Sequence, residues 1–315
     1  MSLKDANVVA ASQRGLVTHD QATAAGLTHN QVRHLVGAGH WERRGHGLFA
    51  VTGAPRTWEQ DVMAACLVSG GVASHECAAR LLDVGRPAFR DAEVSITVGR
   101  GGSRQGARAM GASVHTTRHL TPADRARVGG IPVTTGARVV VDLLGRVPDE
   151  TLFALADDVM WRLRDRDAVR RAWERVGGSH HRRRLEQVLL PWEPGPRPGS
   201  PKEMSLARVL ILHGLPRPVR QYLVVIPGRE RPRYLDLAYP DVRVAMEYDG
   251  RRDHGPRQWS SDAAREDELD RIGWVRLPAG RRDLQEPHAT SYCEVVRRAC
   301  QRDGIDTTVR VAAAR

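Results

Sequence analysis

Residues 15–51 have the sequence GLVTHDQATAAGLTHNQVRHLVGAGHWERRGHGLFAV, from which the structure of the N-terminal region can be predicted. Thr18-His-Asp-Gln21 and Thr28-His-Asn-Gln31 have the pattern of a capping box, in which the threonine oxygen accepts from a backbone amide and the glutamine reaches back. Each box predicts the start of a short helix. Residues 41–51 surround a glycine-rich tip and are typical of a β-hairpin. Helix, turn, helix and hairpin in this order predict a winged helix.

The second predicted helix and the hairpin carry the side chains that we expect to contact DNA. In a helix-turn-helix the second helix lies in the major groove, where amide, imidazole and guanidinium groups can reach base edges and phosphates. The candidate DNA-binding residues are Asn30, Gln31, Arg33, His34, Arg43 and Arg44. The alternative is that these residues form only the solvated faces of a small helical domain.

The composition favours a polyanionic partner and argues against a membrane protein. The 315 residues have a formal net charge of +11, and each Lys or Arg set against a phosphate releases counterions. No apolar run is long enough to span a bilayer, and the start lacks the pattern of a signal peptide, so we expect a cytoplasmic protein. The four cysteines have no zinc-binding spacing and are expected to be reduced.

The chain is predicted to contain three domains. These are a winged-helix DNA-binding domain at residues 1–55, a mixed α/β middle domain at 56–190 and a third domain at 202–315, after a proline-rich linker at 191–201. The segment GRGGSRQG at residues 99–106 lacks the GK[ST] of a phosphate-binding loop, so a flexible hairpin loop is the preferred interpretation.

The C-terminal region places acidic side chains on one face of two predicted strands. Residues 234–239 and 242–249 are joined by a tight turn at Pro240 and Asp241. A turn centred there sets Asp236 opposite Ala245 and makes Glu247 its diagonal neighbour, with Cβ atoms ~7–8 Å apart. Two carboxylates at that spacing can bind one cation, so Asp236 and Glu247 are the predicted ligands of Mg²⁺ or Mn²⁺.

Three further residues are candidates for the chemistry at this site. Glu203, Asp249 and His254 are predicted to position water, contact a second ion or move a proton. The alternative for Asp249 and His254 is that they only brace the turn that follows the strand.

The same residues resemble the very-short-patch-repair-like branch of the PD-(D/E)XK endonuclease superfamily. The resemblance covers about residues 200–285 and rests on the order of the motifs, which are Glu203, Asp236, Glu247-Tyr-Asp249-Gly250, His254, Arg265-Glu-Asp267 and Gly273-Trp-Val-Arg276. It implies a restriction-endonuclease-like sheet flanked by helices, with catalytic residues Glu203, Asp236, Glu247, Asp249 and His254. Asp249 stands where the superfamily has its lysine, so the resemblance supports the fold better than the activity.

The N-terminal stretch resembles the winged-helix domain of AbiEi-type antitoxins. The resemblance rests on GLVTHDQATAAGL and on residues 41–51, and extends loosely through residues 130–135 and 137–144. Together the observations predict an α/β protein that acts as a Mg²⁺-dependent DNA endonuclease in defence or repair. The alternatives are a DNA-binding regulator or antitoxin with an inert nuclease fold and a nuclease that acts on RNA, although only 5% of the residues are aromatic.

Overall fold

The structure is a computed structural model that describes residues 3–165, 167–192, 195–229, 231–249 and 268–302. The chain forms two compact units, one of residues Met1–Leu155 with Asp167–Arg182 and the other of Ala156–Arg166 with Arg183–Arg315. The described residues form a mixed α/β structure with three sheets. None of their helices is both long and apolar enough to cross a membrane.

The first unit begins with the predicted helix-turn-helix and hairpin. Its elements are α1 (Leu3–Ser12), β1 (Leu16–Thr18), α2 (His19–Ala24), α3 (His29–Gly37), β2 (Trp41–Gly45) and β3 (Leu48–Val51). The three strands form an antiparallel sheet in the order β1-β3-β2. Ala22, Val32, Leu35 and Trp41 pack in one core beneath the helices, so the apolar side chains of both short helices are buried on the same side.

The rest of the first unit is a five-stranded mixed sheet with helices. The elements are α4 (Trp58–Ser69), β4 (Val72–Ala73), α5 (His75–Leu82), β5 (Ser95–Val98), α6 (Arg104–Ala109), β6 (Ser113–Thr116), β7 (Arg125–Val128), β8 (Ile131–Thr134), α7 (Gly136–Leu143), the first part of α8 (Asp149–Leu163) and α9 (Asp167–Arg175). The strand order is β6-β5-β4-β8-β7. The predicted flexible loop at residues 99–106 is wrong in part, because a helix begins at Arg104 after the cap of Ser103.

The second unit is a four-stranded sheet flanked by helices. Its elements are the last part of α8, α10 (Arg182–Leu189), α11 (Pro201–Leu212), β9 (Val219–Val224), β10 (Arg233–Tyr239), β11 (Val244–Tyr248), β12 (Val275–Ala279) and α12 (His288–Arg302). The strand order is β12-β11-β10-β9, and β12 runs parallel to β11. Apolar clusters form on both sides of the sheet, around Leu237 and Met246 on one and around Leu235 and Ala245 on the other.

A buried ion pair anchors α11 within this unit. The Arg208 guanidinium binds both carboxylate oxygens of Asp157 at 2.5 and 2.6 Å and also donates to the carbonyl of Val188. Trp192, in the predicted linker, donates to the same carboxylate at 2.8 Å. The Arg208 guanidinium and the Asp157 carboxylate are both almost fully buried, so each charge is balanced mainly by the other.

The predicted register between β10 and β11 is wrong by two residues. Ala245 pairs with Ala238 instead of Asp236, because residues 240–243 form a longer turn with a 3₁₀ segment and Arg243 at φ +50°. Continued by one residue, the observed register sets Asp236 directly opposite Glu247. A shift of two residues by itself preserves the predicted faces, but the alternation of β10 breaks at Asp236, because Leu235 and Leu237 pack in clusters on opposite sides of the sheet.

Candidate functional site

Helix α3 presents a polar face to solvent. Thr28 and Gln31 form the predicted capping box, with the Gln31 side-chain oxygen accepting from the Thr28 amide at 2.8 Å and the Gln31 amide donating to Thr28 Oγ1. This arrangement holds the first turn rigidly while Val32 and Leu35 are buried. Asn30, Gln31, Arg33 and His34 are all exposed, although the oxygen of Gln31 is already used by the cap. The predicted DNA-binding side chains of α3 therefore lie on the face opposite its buried residues.

The two wing arginines differ in their surroundings. Arg43 is exposed, with its guanidinium 5.4 Å from the centre of the Phe49 ring. Arg44 is turned inward, where its guanidinium pairs with Asp61 at 2.8 Å and only 14% of its side chain is exposed. The charge of Arg44 is thus balanced inside the unit. Of the two predicted wing contacts, only Arg43 is exposed.

A cavity of about 600 Å³ lies beside α3 and the wing. Basic side chains line one part of it and apolar residues of α3, β3 and α4 line the rest, namely His19, His29, Arg33, Arg43, His46, Val32, Val36, Phe49, Leu67 and Val68, together with Thr18, Asp20 and Gly47. His19 and His29 are the first residues of α2 and α3, and their ring nitrogens are 3.2 Å apart. The imidazoles of His19, His29 and His46 are therefore gathered beside the candidate DNA-binding arginines.

A pair of stacked histidines joins the start of α5 to β6 of the five-stranded sheet. The rings of His75 and His115 have centroids 3.6 Å apart, and they hydrogen-bond to the hydroxyls of Ser74 and Ser95 respectively. Burial, the His115 imidazole and nearby arginines lower the pKa of His75 to about 2. Burial and Arg146 also lower the pKa of His115. Both rings are therefore neutral at physiological pH, a feature that sequence reasoning missed because the partners come from distant elements.

The second unit brings three predicted acidic residues together. Burial raises the pKa of Asp236 to about 7, and the negative charges of Glu203 and Glu247 add to the effect. The Tyr248 amide donates to Asp236 Oδ2 at 3.0 Å, which opposes it. Glu203, in the first turn of α11, accepts from the amide of Gly199 and from the side chain of Gln221, both at 2.8 Å. Asp236 therefore lies in a partly buried and negatively charged environment.

Two arginines that sequence reasoning did not assign already neutralise Glu247. Arg233 donates to both of its oxygens at 2.7 and 2.9 Å, and Arg276 donates to one at 2.5 Å. Both arginines lie on neighbouring strands, so only the pairing of β11 with β10 and β12 brings them to Glu247.

In this arrangement the predicted metal ligand Glu247 is already bound by two arginines. Carboxylate oxygens suit Mg²⁺, but the guanidiniums hold both oxygens of Glu247. Within the described ranges, no group of three His, Cys, Asp or Glu side chains could hold a metal ion.

The remaining predicted catalytic residues lie at or beyond the end of β11. The amide of Asp249 donates to the carbonyl of Ala279 at 2.8 Å, which places Asp249 beside the end of β12. His254 and the motif Arg265-Glu-Asp267 lie outside the described residues. Their predicted roles stay predictions.

Comparison with known proteins adds one finding. Residues 9–52 match a family model described as transcriptional regulator, AbiEi antitoxin. The match covers α2, α3 and the wing, and it confirms the predicted resemblance of the N-terminal region. No curated protein matches the chain. The matched range does not include the residues that resemble the endonuclease superfamily, so that resemblance stays a prediction.

Proposed function

We propose that this chain is a DNA-binding transcriptional regulator of the AbiEi-antitoxin kind. The observation that carries the proposal is the doubly capped helix-turn-helix, with Asn30, Arg33 and His34 exposed on α3 and Arg43 exposed on the wing. The family match covers the same residues. The net charge of +11 adds sequence-independent attraction to the phosphate backbone.

The two parts of the winged helix have different tasks in this proposal. The first turn of α3 enters the major groove, where the Asn30 amide can pair with an adenine and Arg33 with a guanine or a phosphate. Arg43 contacts a phosphate and so fixes the orientation of the unit on the duplex without reading sequence. The chain regulates transcription by occupying a promoter.

The test distinguishes sequence recognition by α3 from the phosphate contact of Arg43. Duplexes selected from a random pool by the intact protein serve as the operator probe, and a scrambled duplex serves as the reference. Asn30→Ala should lower the preference for the operator, whereas Arg43→Ala should weaken binding to both duplexes and reduce the salt slope by ~0.9.

Arg44→Ala is the matched control, because it removes the same charge from the neighbouring residue but from a side chain that is paired with Asp61. Equal losses of affinity in the Arg43 and Arg44 variants would contradict the assigned wing contact. Absence of any selected duplex would contradict the proposed function.

A second candidate function is metal-dependent cleavage of DNA by the second unit. It is favoured by one observation, the raised pKa of Asp236 beside Glu203 and Glu247, because strongly shifted carboxyl groups cluster at functional sites. An ion at this site would have to displace Arg233 and Arg276 from Glu247. Supercoiled plasmid incubated with Mg²⁺ or Mn²⁺ provides the test.

Cleavage by the parent that disappears in both Asp236→Ala and Glu247→Ala would establish this activity. Asp241→Ala, an exposed carboxyl on the turn after β10, is the control and should cut like the parent. Undiminished cutting by the Asp236 variant would show that the activity belongs elsewhere.

A further inference from the structure

The segment Gly99–Ala109, with the sequence GRGGSRQGARA, is rich in glycine but includes a helix. It contains Arg100, Arg104 and Arg108 and has no acidic residue. Its second half is helix α6, which begins after Ser103 and whose Gly106 amide donates to Ser103 Oγ at 3.0 Å. The segment is therefore an ordered cationic element of the first unit.

Glycines let α6 lie directly against the end of α4. A Cβ atom on Gly106 would lie 2.7 Å from the carbonyl oxygen of Val68, and one on Gly102 would lie 3.0 Å from that of Ser69. The Ser103 amide donates to the Ser69 carbonyl at 2.9 Å, and Ala107 is fully buried. Because any side chain at Gly106 would push α6 away, the close contact requires glycine there.

The same contact brings α6 next to the candidate DNA interface. Val68 lies against Gly106. It also lines the same cavity as Arg33 and Arg43. At the other end of α6, a Cβ on Gly45 of the wing would lie 3.2 Å from Met110 Sδ. Helix α6 is therefore a direct neighbour of the wing.

The arginines of α6 have no partner among the described residues. Arg104 and Arg108 are four residues apart, so they project from the same side of the helix, and both are exposed. Within the described part of the chain, neither guanidinium pairs with a carboxylate or donates a hydrogen bond, unlike Arg44 and Arg138. Arg100 is also exposed at the start of the segment.

We infer that α6 is a second DNA-contacting element, in which Arg104 and Arg108 bind the phosphate backbone next to the site of the winged helix. The inference rests on the proposed function, because it extends the same interface along the duplex. Such contacts add affinity but read no sequence. The ligand class is duplex DNA, recognised by its phosphates.

Binding of labelled duplex by the intact protein, measured over a range of salt concentrations, tests the inference. Arg104→Ala/Arg108→Ala should lower the salt slope by ~1.8 and, from the counterion contribution alone, weaken binding roughly thirtyfold at ~0.15 M salt. The operator and the scrambled duplex should lose affinity equally. Arg104→Lys/Arg108→Lys should keep most of the slope, because a phosphate contact needs the charge more than the guanidinium geometry.

The matched control is Arg125→Ala/Arg127→Ala, which removes the same charge from exposed residues of β7, at the opposite edge of the sheet from β6. An unchanged affinity and slope in the α6 double variant, with Arg33→Ala/Arg43→Ala still weakened, would overturn this inference alone. Equal losses in the α6 and β7 variants would also overturn it, by showing a diffuse charge effect. If the parent binds no duplex, both the inference and the proposed function fail.

Discussion

Asp236→Asn should stabilise the strands around it at pH 8 and have much less effect at pH 5. The folded protein holds the Asp236 proton more tightly than the open chain does, because burial and two neighbouring carboxylates raise its pKa from 3.8 to about 7. The protonated Asp236 therefore contributes to the free energy of unfolding. This contribution is complete below pH 3.8 and is lost as the pH rises through about 7. Asparagine imitates the neutral acid and cannot ionise.

The size of the effect follows from proton linkage. With the two pKa values 3.8 and about 7, ionisation of Asp236 removes about 2.5 kcal/mol of the free energy of opening between pH 5 and pH 8, as an upper limit. The side-chain oxygen of the introduced asparagine can still accept from the Tyr248 amide, so the variant keeps the native hydrogen bond. The variant should therefore gain about that much relative to the parent over this interval.

Hydrogen exchange measured by mass spectrometry on peptides from β10 and β11 is the assay. Comparing variant and parent at the same pH cancels the pH dependence of the intrinsic exchange rate. Asp241→Asn, an exposed carboxyl on the intervening turn, is the control and should follow the parent. An advantage for Asp236→Asn that is equal at pH 5 and pH 8 would refute the assigned ionisation.

Two further substitutions test contacts inside each unit. Arg208→Ala should lower the free energy of unfolding by about 3–5 kcal/mol in urea titrations, since it leaves the buried Asp157 carboxylate without its partner, and a loss below about 1 kcal/mol would contradict this assignment. Thr28→Ala should lower the stability of the first unit by about 1 kcal/mol in thermal melts through loss of the α3 cap, whereas the exposed Thr23→Ala should have a smaller effect.

Local patterns in the sequence predicted the winged helix because its determinants are local. Both capping boxes, the turn between the helices and the hairpin form within a few residues, and the structure has all of them. The buried face of α3 followed from the spacing of Val32 and Leu35 in the same way.

Features that depend on distant contacts could not be predicted in this way. The register of β10 and β11 depends on a turn in which Arg243 adopts a left-handed backbone conformation. An arginine does not favour that conformation, so the sequence does not predict it. Arg43 and Arg44 are adjacent and chemically equal, and it is the contact of Arg44 with Asp61, distant in sequence, that distinguishes them. The sequence of α6 is typical of a loop because glycine lowers helix stability, but Gly106 allows the helix to pack closely against α4.

The stacked histidines give the first unit a response to acid opposite to that of the second. A neutral, buried His75 with a pKa of about 2 contributes stability that is complete above pH 6.5 and falls as the unfolded chain takes up protons, by about 2 kcal/mol at pH 5. Over the same interval Asp236 strengthens the second unit. Mild acidification therefore lowers the stability of the first unit while it raises that of the second, so the difference between their melting temperatures should change between pH 5 and pH 8.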